Sequence, residues 1–251
     1  MKKNKFLALL SVITLFFSLF TYRVLADEVE SKKDEKKVIY LTFDDGPTIK
    51  NTKRVVEILK KEQVPATFFL IGENVEHYPE LVKLLQENNM AIGAHSYSHK
   101  VHEIYKCPEN YLKDLEKCIE TVEKTLGEKT IDITRMPCGS TNTICNKWTK
   151  DGIKKGIRGK ELSYVDWNVS GEDALSKNVP CEKIMRNILK DTKNQDTVVL
   201  LLHDGYYNGT TVQILPEVIK YYKDKGYTFK SLKNLSNEEK ADLEKLKVLN
   251  R

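Results

Sequence analysis

The sequence has 251 residues, enough for one sizeable domain, and its 40% hydrophobic and 31% charged residues exclude a collagen-like fibre and a mostly disordered chain. The formal net charge is +5, but residues 1–26 carry four basic side chains and no acid, which leaves 37 basic against 36 acidic residues in the rest of the chain. A near-neutral body lacks the basic surface of a nucleic-acid-binding protein, so we expect no nucleic-acid partner.

The first 26 residues have the pattern of a targeting segment. A basic start, MKKNK, precedes an uncharged and mostly apolar stretch from Phe6 to Phe20, and Val24–Ala26 offers the side chains that a signal peptidase reads. The apolar stretch is shorter than the ~20 residues that a membrane-spanning helix needs. We expect a signal peptide cleaved after Ala26; the alternative is an uncleaved N-terminal anchor, through which alone the protein would contact the membrane. Both place the rest of the chain outside the cytoplasm.

The next residues, 27–37, form a charge-dense stretch that we interpret as a solvated linker. From residue 38 to residue 233, short apolar runs alternate with helical patterns about seven times, which predicts an α/β domain with a mainly parallel sheet, open or closed into a barrel. Residues 234–251 are polar and predict a C-terminal helix. The predicted strands are Val38–Phe43, Ala66–Ile71, Met90–Ala94, Ile131–Thr134, Leu162–Val169, Thr197–Leu202 and Tyr227–Leu232, and the clearest helical patterns are Glu80–Asn88, Tyr111–Leu126, Cys181–Lys190 and Val212–Lys223.

The chain contains five cysteines. An odd number leaves at least one thiol unpaired in a secreted protein, and the absence of C-x-x-C spacing argues against a zinc knuckle or a thioredoxin-type site. We expect most of them to be buried as small apolar residues, and the sequence leaves their pairing open.

Polar residues follow five of the predicted strands. The carboxyl ends of parallel strands gather on one face of an α/β sheet or barrel, which is the face that carries active sites. We therefore expect these residues to converge on one site. They are Asp44, Asp45, His95, Arg135, Asp173 and His203.

Each of these signals has an ordinary alternative. Asp44 and Asp45 are also typical of a solvated turn. His95 and His99, spaced i,i+4, would share one face of a helical turn and could hold a cation, or they could be ordinary loop histidines. Two histidines and one carboxylate suit zinc and several other divalent ions.

Five motifs in order resemble those of the polysaccharide deacetylase family, carbohydrate esterase family 4, and they span most of the chain after the linker. They are T-F-D-D-G-P at Thr42–Pro47, H-S-Y-S-H at His95–His99, R-M-P-C-G at Arg135–Gly139, W-N-V-S-G-E-D at Trp167–Asp173 and L-L-H-D at Leu201–Asp204. The resemblance implies a distorted (β/α)7 barrel and metal-dependent removal of acetyl groups from N-acetylated sugars.

The resemblance also implies a role for each matching residue. The metal, zinc or else cobalt or another divalent ion, would be held by Asp45, His95 and His99. The catalytic residues would be Asp44 as general base, Arg135 as the residue that positions it, His203 as general acid and Asp173 as the partner of His203. The substrate would meet Trp167 and Leu201, which would line a pocket for the acetyl methyl, and the backbone N–H of Cys138, which would stabilise the oxyanion.

Two motifs depart from the family pattern: in the third, Cys138 replaces an aromatic residue, and in the fourth, Ser170 and Ala174 replace Asp and Trp. Both departures reshape the substrate groove, and neither removes a proposed metal ligand. We expect a secreted, cell-wall-associated monomer that deacetylates N-acetylglucosamine in peptidoglycan. The alternatives are N-acetylmuramic acid or chitin oligosaccharides as substrate, removal of O-acetyl groups as from xylan, and an inactive glycan-binding barrel.

Overall fold

The structure, a computed structural model, describes residues 37–251. The predicted targeting segment and the linker up to residue 36 lie outside the described residues. None of the helices in the described part of the chain has a stretch long and apolar enough to span a bilayer.

Eight short strands form one parallel sheet, and helices follow most of them in the chain. The strands are β1 (Val38–Gly46), β2 (Thr67–Leu70), β3 (Ala91–Ala94), β4 (Ile133–Thr134), β5 (Ser163–Tyr164), β6 (Val169–Ser170), β7 (Thr197–His203) and β8 (Thr228–Lys230). The helices are α1 (Thr52–Glu62), α2 (Gly72–His77), α3 (Pro79–Glu87), α4 (Val101–Ile104), α5 (Pro108–Leu126), α6 (Lys147–Gly159), α7 (Cys181–Thr192), α8 (Gly209–Asp224) and α9 (Asn237–Lys245).

The sheet curls into a half-barrel. Its seven-strand path runs β5-β4-β3-β2-β1-β7-β6, and β8 pairs with the start of β1. The prediction of an α/β fold with a distorted (β/α)7 barrel is confirmed.

The two faces of the sheet bury different sets of side chains, because successive residues of a strand point to opposite sides. On β1, Ile39, Leu41 and Phe43 are buried in the large cluster that the helices cover. Tyr40, between them, belongs to a smaller cluster inside the barrel that also contains Phe69. A parallel sheet covered on both faces explains why its strands appear in the sequence as nearly continuous apolar runs.

The barrel stays open between β5 and β6, and the end of the chain lies in this opening. The sequence predicts one strand over Leu162–Val169, and this prediction is wrong: β5 and β6 are separate two-residue strands. Val165, just after β5, forms an antiparallel bridge with Leu249. The backbone N–H of Asp166 also donates to the Val248 carbonyl at 2.7 Å.

The polar C-terminal segment contains helix α9, which begins with a capping box formed by Ser236 and Glu239. Leu243, Val248 and Leu249 from this segment are buried in the cluster inside the barrel. The end of the chain therefore closes the barrel interior.

The cysteines differ from expectation. All five lie in the described residues and all are free thiols, so the part of the chain that the structure describes holds no disulfide. Only Cys118 is buried and Cys138 is exposed, so the expectation that most of them are buried is wrong.

Candidate active site

The register of the sheet brings four of the predicted polar residues to the same end of the barrel interior. On β1, Asp44 lies two residues after Thr42 on the inner face and is paired in register with His203 of β7. His95 directly follows β3, and Arg135 directly follows β4. The strands thus deliver two imidazoles, a carboxylate and a guanidinium to their carboxyl ends, as the position of these residues in the sequence indicates.

Asp45 reaches the same site through an irregularity in β1. Neighbouring residues of a regular strand point to opposite faces, but the pairing of β1 with β2 shifts register between Asp44 and Gly46. Asp45 lies in this bulge with a positive φ of 72°, and its carbonyl accepts a hydrogen bond from the Asn74 side chain. The bulge re-aims the second carboxylate, so that both Asp44 and Asp45 face the site.

Asp45, His95 and His99 form a candidate metal centre, with one potential ligand atom from each residue lying within 4.8 Å of the others. Asp45 Oδ1 is 3.5 Å from His95 Nε2 and 3.4 Å from His99 Nε2. These distances exceed normal hydrogen bonds, and Asp45 Oδ1 is buried without a hydrogen-bond partner. A tetrahedral ion with bonds of about 2.1 Å sets its ligand atoms roughly 3.4 Å apart. The three side chains therefore fit a divalent ion.

His95 is prepared to act as a neutral ligand. Its Nδ1–H donates to the Arg135 carbonyl at 2.9 Å, which leaves the Nε2 lone pair directed toward Asp45. Burial, together with repulsion from His99 and Arg135, lowers the pKa of His95 to about 3 although Asp45 opposes this shift. A hydrogen bond that fixes the tautomer of a ligating histidine is a common feature of metal sites.

A non-helical turn, and not a helical one, brings His95 and His99 together. Ser96 and His99 have positive φ values of 96° and 52°, and the Ser96 hydroxyl accepts a hydrogen bond from the His99 N–H at 2.9 Å. The Asp114 carboxylate accepts the N–H groups of Tyr97 and Ser98. The centroids of the two rings lie 5.2 Å apart. The two histidines are therefore close together, as the sequence predicts, but the turn that joins them is not helical.

Asp44 and Arg135 form a buried ion pair beside the metal centre. Arg135 Nη1 is 2.9 Å from Asp44 Oδ1, and Arg135 is completely buried. The remaining guanidinium N–H groups donate to Thr42 and to the carbonyls of Val165 and Asp166. Burial raises the pKa of Asp44, while Arg135 and His203 oppose this shift.

His203 and Asp173 form a second ion pair on the other side of Asp44. His203 Nδ1 is 2.8 Å from Asp173 Oδ1, and Asp173 Oδ2 accepts the His203 backbone N–H and the Thr211 hydroxyl. Burial alone would lower the pKa of His203, but the charge of Asp173 and its hydrogen bond raise it to about 10. The imidazole is thus held as a cation whose Nε2–H is free to donate.

The three predicted substrate-contacting residues surround the Arg135 side chain and the turn after it. The Trp167 ring lies 5.7 Å from the Arg135 guanidinium, and Leu201 is buried in β7, where it pairs in register with Thr42. Cys138 is exposed and has a positive φ of 63°. None of the three lines the groove in front of Asp45 and His99, whose volume is about 530 Å³.

Two buried carboxylates near the site are absent from the sequence-based set. Asp166 accepts the backbone N–H and the hydroxyl of Ser140 at 2.8 and 2.6 Å, which fixes the turn that contains Cys138. Asp204 is buried behind Asp45 and accepts the Thr52 hydroxyl, and burial raises its pKa to about 7. The sequence contained an indication of each. Asp166 is an acidic residue within a mostly apolar run, directly before Trp167, and Asp204 is the last residue of the L-L-H-D motif.

Comparisons with known proteins identify relatives of this chain. The sequence profile of a family described as polysaccharide deacetylase matches residues 31–154. A peptidoglycan-N-acetylglucosamine deacetylase of Bacillus cereus is 34% identical over 206 residues, 78% of this chain and 70% of the relative. A peptidoglycan-N-acetylmuramic acid deacetylase, PdaC of Bacillus subtilis, is 31% identical over 214 residues, 84% of this chain and 41% of the relative.

Among solved structures, the catalytic domain of a peptidoglycan N-acetylglucosamine deacetylase from Eubacterium rectale is similar to this chain. The two superpose with a TM-score of 0.73 at 30% sequence identity, over 80% of this chain and 90% of that domain.

Proposed function

The chain belongs to the polysaccharide deacetylase family, a family of metal-dependent hydrolases, and we propose that it removes N-acetyl groups from N-acetylglucosamine residues of peptidoglycan outside the cytoplasm. The observation that carries the proposal is the presence of two oppositely charged groups, each held by a buried partner, beside a candidate metal centre. Asp44 is a carboxylate held by Arg135, and His203 is an imidazolium held by Asp173. A protein that only binds glycan needs neither a base nor an acid at this place.

The metal would be held by Asp45, His95 and His99. A divalent ion bound there, in our proposal zinc, would polarise the acetyl carbonyl and lower the pKa of a bound water.

Asp44 is the proposed general base. It takes a proton from the water that attacks the acetyl carbon. Its raised pKa brings it closer to the pH at which a carboxylate serves as an efficient base. Arg135 fixes its orientation through the 2.9 Å contact.

His203 is the proposed general acid. The C–N bond breaks as the amide nitrogen takes the proton from His203 Nε2, which releases acetate and a free sugar amine. One proton of the water ends on Asp44, the other leaves with the acetyl group as acetic acid, which ionises to acetate in solution, and the proton of His203 ends on the sugar amine. Asp44 then loses its proton to solvent and His203 takes one up from solvent, which the charge of Asp173 favours.

The backbone N–H of Cys138 is the proposed oxyanion donor. The turn is held by the Gly139 N–H, which donates to the Met136 carbonyl at 2.8 Å, and by the bonds between Ser140 and Asp166. An N–H in a fixed turn is oriented before the charge develops, which is the condition for effective electrostatic stabilisation.

The proposed substrate and location have separate support. The relatives from Bacillus cereus and Eubacterium rectale carry the name of N-acetylglucosamine deacetylases, and the targeting pattern in residues 1–26 supports a location outside the cytoplasm, beside the cell wall. A relative named for N-acetylmuramic acid makes that sugar the competing substrate.

Acetate release from purified peptidoglycan and from chitin tetramers, with chelation and metal add-back, tests the proposal. We expect acetate from peptidoglycan that disappears with chelator and returns with zinc. Muramidase digestion followed by mass spectrometry should then find the missing acetyl group on glucosamine. Its loss from muramic acid would reject the proposed sugar, and metal-independent acetate release would reject the mechanism.

A further inference from the structure

Two exposed tyrosines form part of the groove wall directly beside the metal centre. Tyr206 and Tyr207 line the groove together with Asp45 and His99, and their side chains are 58% and 49% exposed. They follow Gly205, where an added Cβ would lie only 3.2 Å from the Asp45 Cβ. Large apolar side chains exposed next to a catalytic centre indicate a surface that a ligand covers.

The backbone under these tyrosines is fixed. The Asn51 side chain donates to the Gly205 carbonyl at 2.6 Å and to the Tyr206 carbonyl at 3.4 Å, and the Asn178 N–H donates to the Tyr207 carbonyl. The two rings pack edge to face with centroids 5.2 Å apart. Rings on a rigid backbone bind a ligand with little loss of conformational freedom.

Each tyrosine carries a lysine ammonium over its ring. Lys50 Nζ lies 5.3 Å from the Tyr206 centroid, and Lys177 Nζ lies 4.3 Å from the Tyr207 centroid. Both lysines are exposed, and within residues 37–251 neither takes part in an ion pair with a carboxylate. Among the groove residues Lys177 and Asp45 are the only members of the Lys, Arg, Asp and Glu group. Lys177 therefore brings an ammonium group without a carboxylate partner to the groove, Lys50 adds a second one over the Tyr206 ring, and the one acid among the groove residues belongs to the metal centre.

We propose that the surface formed by Tyr206, Tyr207, Lys50 and Lys177 binds the sugar next to the one being deacetylated, and that this neighbour is a muramoyl residue without a stem peptide, whose free lactyl carboxylate pairs with the lysines. The inference rests on the proposed function, which places N-acetylglucosamine at the metal. In peptidoglycan each such residue is flanked by a sugar with a lactyl ether, whose carboxyl group is a neutral amide while a stem peptide is attached and a free carboxylate once the peptide is removed, whereas chitin offers only neutral neighbours. The tyrosine faces suit the apolar face of a sugar ring, and the ammonium groups suit its carboxylate.

The test compares substrates that differ only in the carboxylate. Glycan strands freed of stem peptides carry free lactyl carboxylates, and coupling these to a small amine gives matched neutral strands. The wild type should have a higher kcat/KM for the acidic strands, by a factor of about 2 to 20, as expected from two exposed ion pairs. The preference should shrink in 1 M salt, where the screening length is about 3 Å.

Variants assign the preference to the lysines. Lys50→Met and Lys177→Met keep the apolar stems, so each should lower kcat/KM on acidic strands about 1.5- to 5-fold and change kcat/KM on neutral strands by less, which reduces the preference for acidic strands. Lys240→Met removes an equivalent exposed charge outside the groove and should retain the wild-type preference.

Equal wild-type rates on acidic and neutral strands would overturn this inference while leaving the deacetylase function intact. So would a preference that appears only when stem peptides are attached, because the recognised carboxylate would then belong to the peptide. Absence of acetate from every substrate would instead refute the proposed function itself.

Discussion

Replacing Arg135 with methionine tests the electrostatic core of the site. Methionine keeps much of the apolar part of the arginine side chain. The guanidinium of Arg135 lies over the Phe69 ring, 4.3 Å from its centroid. The substitution removes every guanidinium N–H. It leaves the Asp44 carboxylate without its 2.9 Å donor and the carbonyls of Val165 and Asp166 without theirs.

The expected cost follows from burial. Removing one partner of a buried ion pair typically costs about 3–5 kcal/mol, because the other charge remains without compensation. For a domain of this size, this corresponds to a fall in Tm of roughly 6–20 °C. Arg135 is also one of the groups that hold down the pKa of Asp44, so its loss raises that pKa further and favours the protonated form, which cannot act as a base. Activity and stability should therefore fall together.

A double-mutant cycle separates the ion pair from general damage to packing. Urea unfolding is measured, in the presence of chelator, for the wild type, Arg135→Met, Asp44→Asn and the double variant. In the double variant neither side chain is charged, so no buried charge is left without a partner. Its loss of unfolding free energy should therefore be smaller than the sum of the losses in the two single variants, by at least about 1 kcal/mol. Additive losses, or a loss below 1 kcal/mol in Arg135→Met, would refute the assignment of a buried, coupled pair.

Three further predictions concern the reaction groups. Asp44→Asn should abolish acetate release while metal content, measured by atomic absorption, stays near that of the wild type; wild-type turnover in this variant would remove Asp44 as the base. His95→Ala should lose metal and activity together, whereas His102→Ala, an exposed neighbour, should keep both, and unchanged metal content in His95→Ala would exclude the ligand. Asp173→Asn should destabilise the metal-free protein most below pH 6.5. The reason is that the raised pKa of His203 contributes stability that is fully present below the unfolded pKa and is lost as the pH rises toward about 10. A destabilisation independent of pH between 6 and 10 would contradict the ion pair.

The sequence predicted which residues lie close together because this prediction depends on the topology of a parallel sheet and not on the conformation of its loops. Asp44, His95, Arg135 and His203 each stand at the carboxyl end of an apolar run, and a parallel sheet gathers such ends whatever the loops do. The motif resemblance added roles to these positions. The half-barrel itself followed from the repeated β-α alternation together with that resemblance.

Local backbone geometry could not be predicted in the same way. The bulge at Asp45 and the turn from Ser96 to His99 depend on positive φ values, which non-glycine residues adopt only when tertiary contacts such as those of Asp114 enforce them. Leu162–Val169 looks like one strand because β-branched and aromatic residues recur along it. Its two halves lie at opposite edges of an unclosed sheet, where β5 pairs with β4 and β6 pairs with β7, and the sequence does not show such long-range pairing.

The contacts of residues 248–250 affect the order in which the parts of the site come together during folding. These residues supply the antiparallel partner of Val165 and accept the Asp166 N–H, and the carbonyls of Val165 and Asp166 in turn receive the Arg135 guanidinium. During synthesis from the amino terminus these residues leave the ribosome after every strand of the sheet. The sheet can therefore form while the pocket around the Arg135 guanidinium still lacks one wall, and the site is complete only after residues 248–250 have bound.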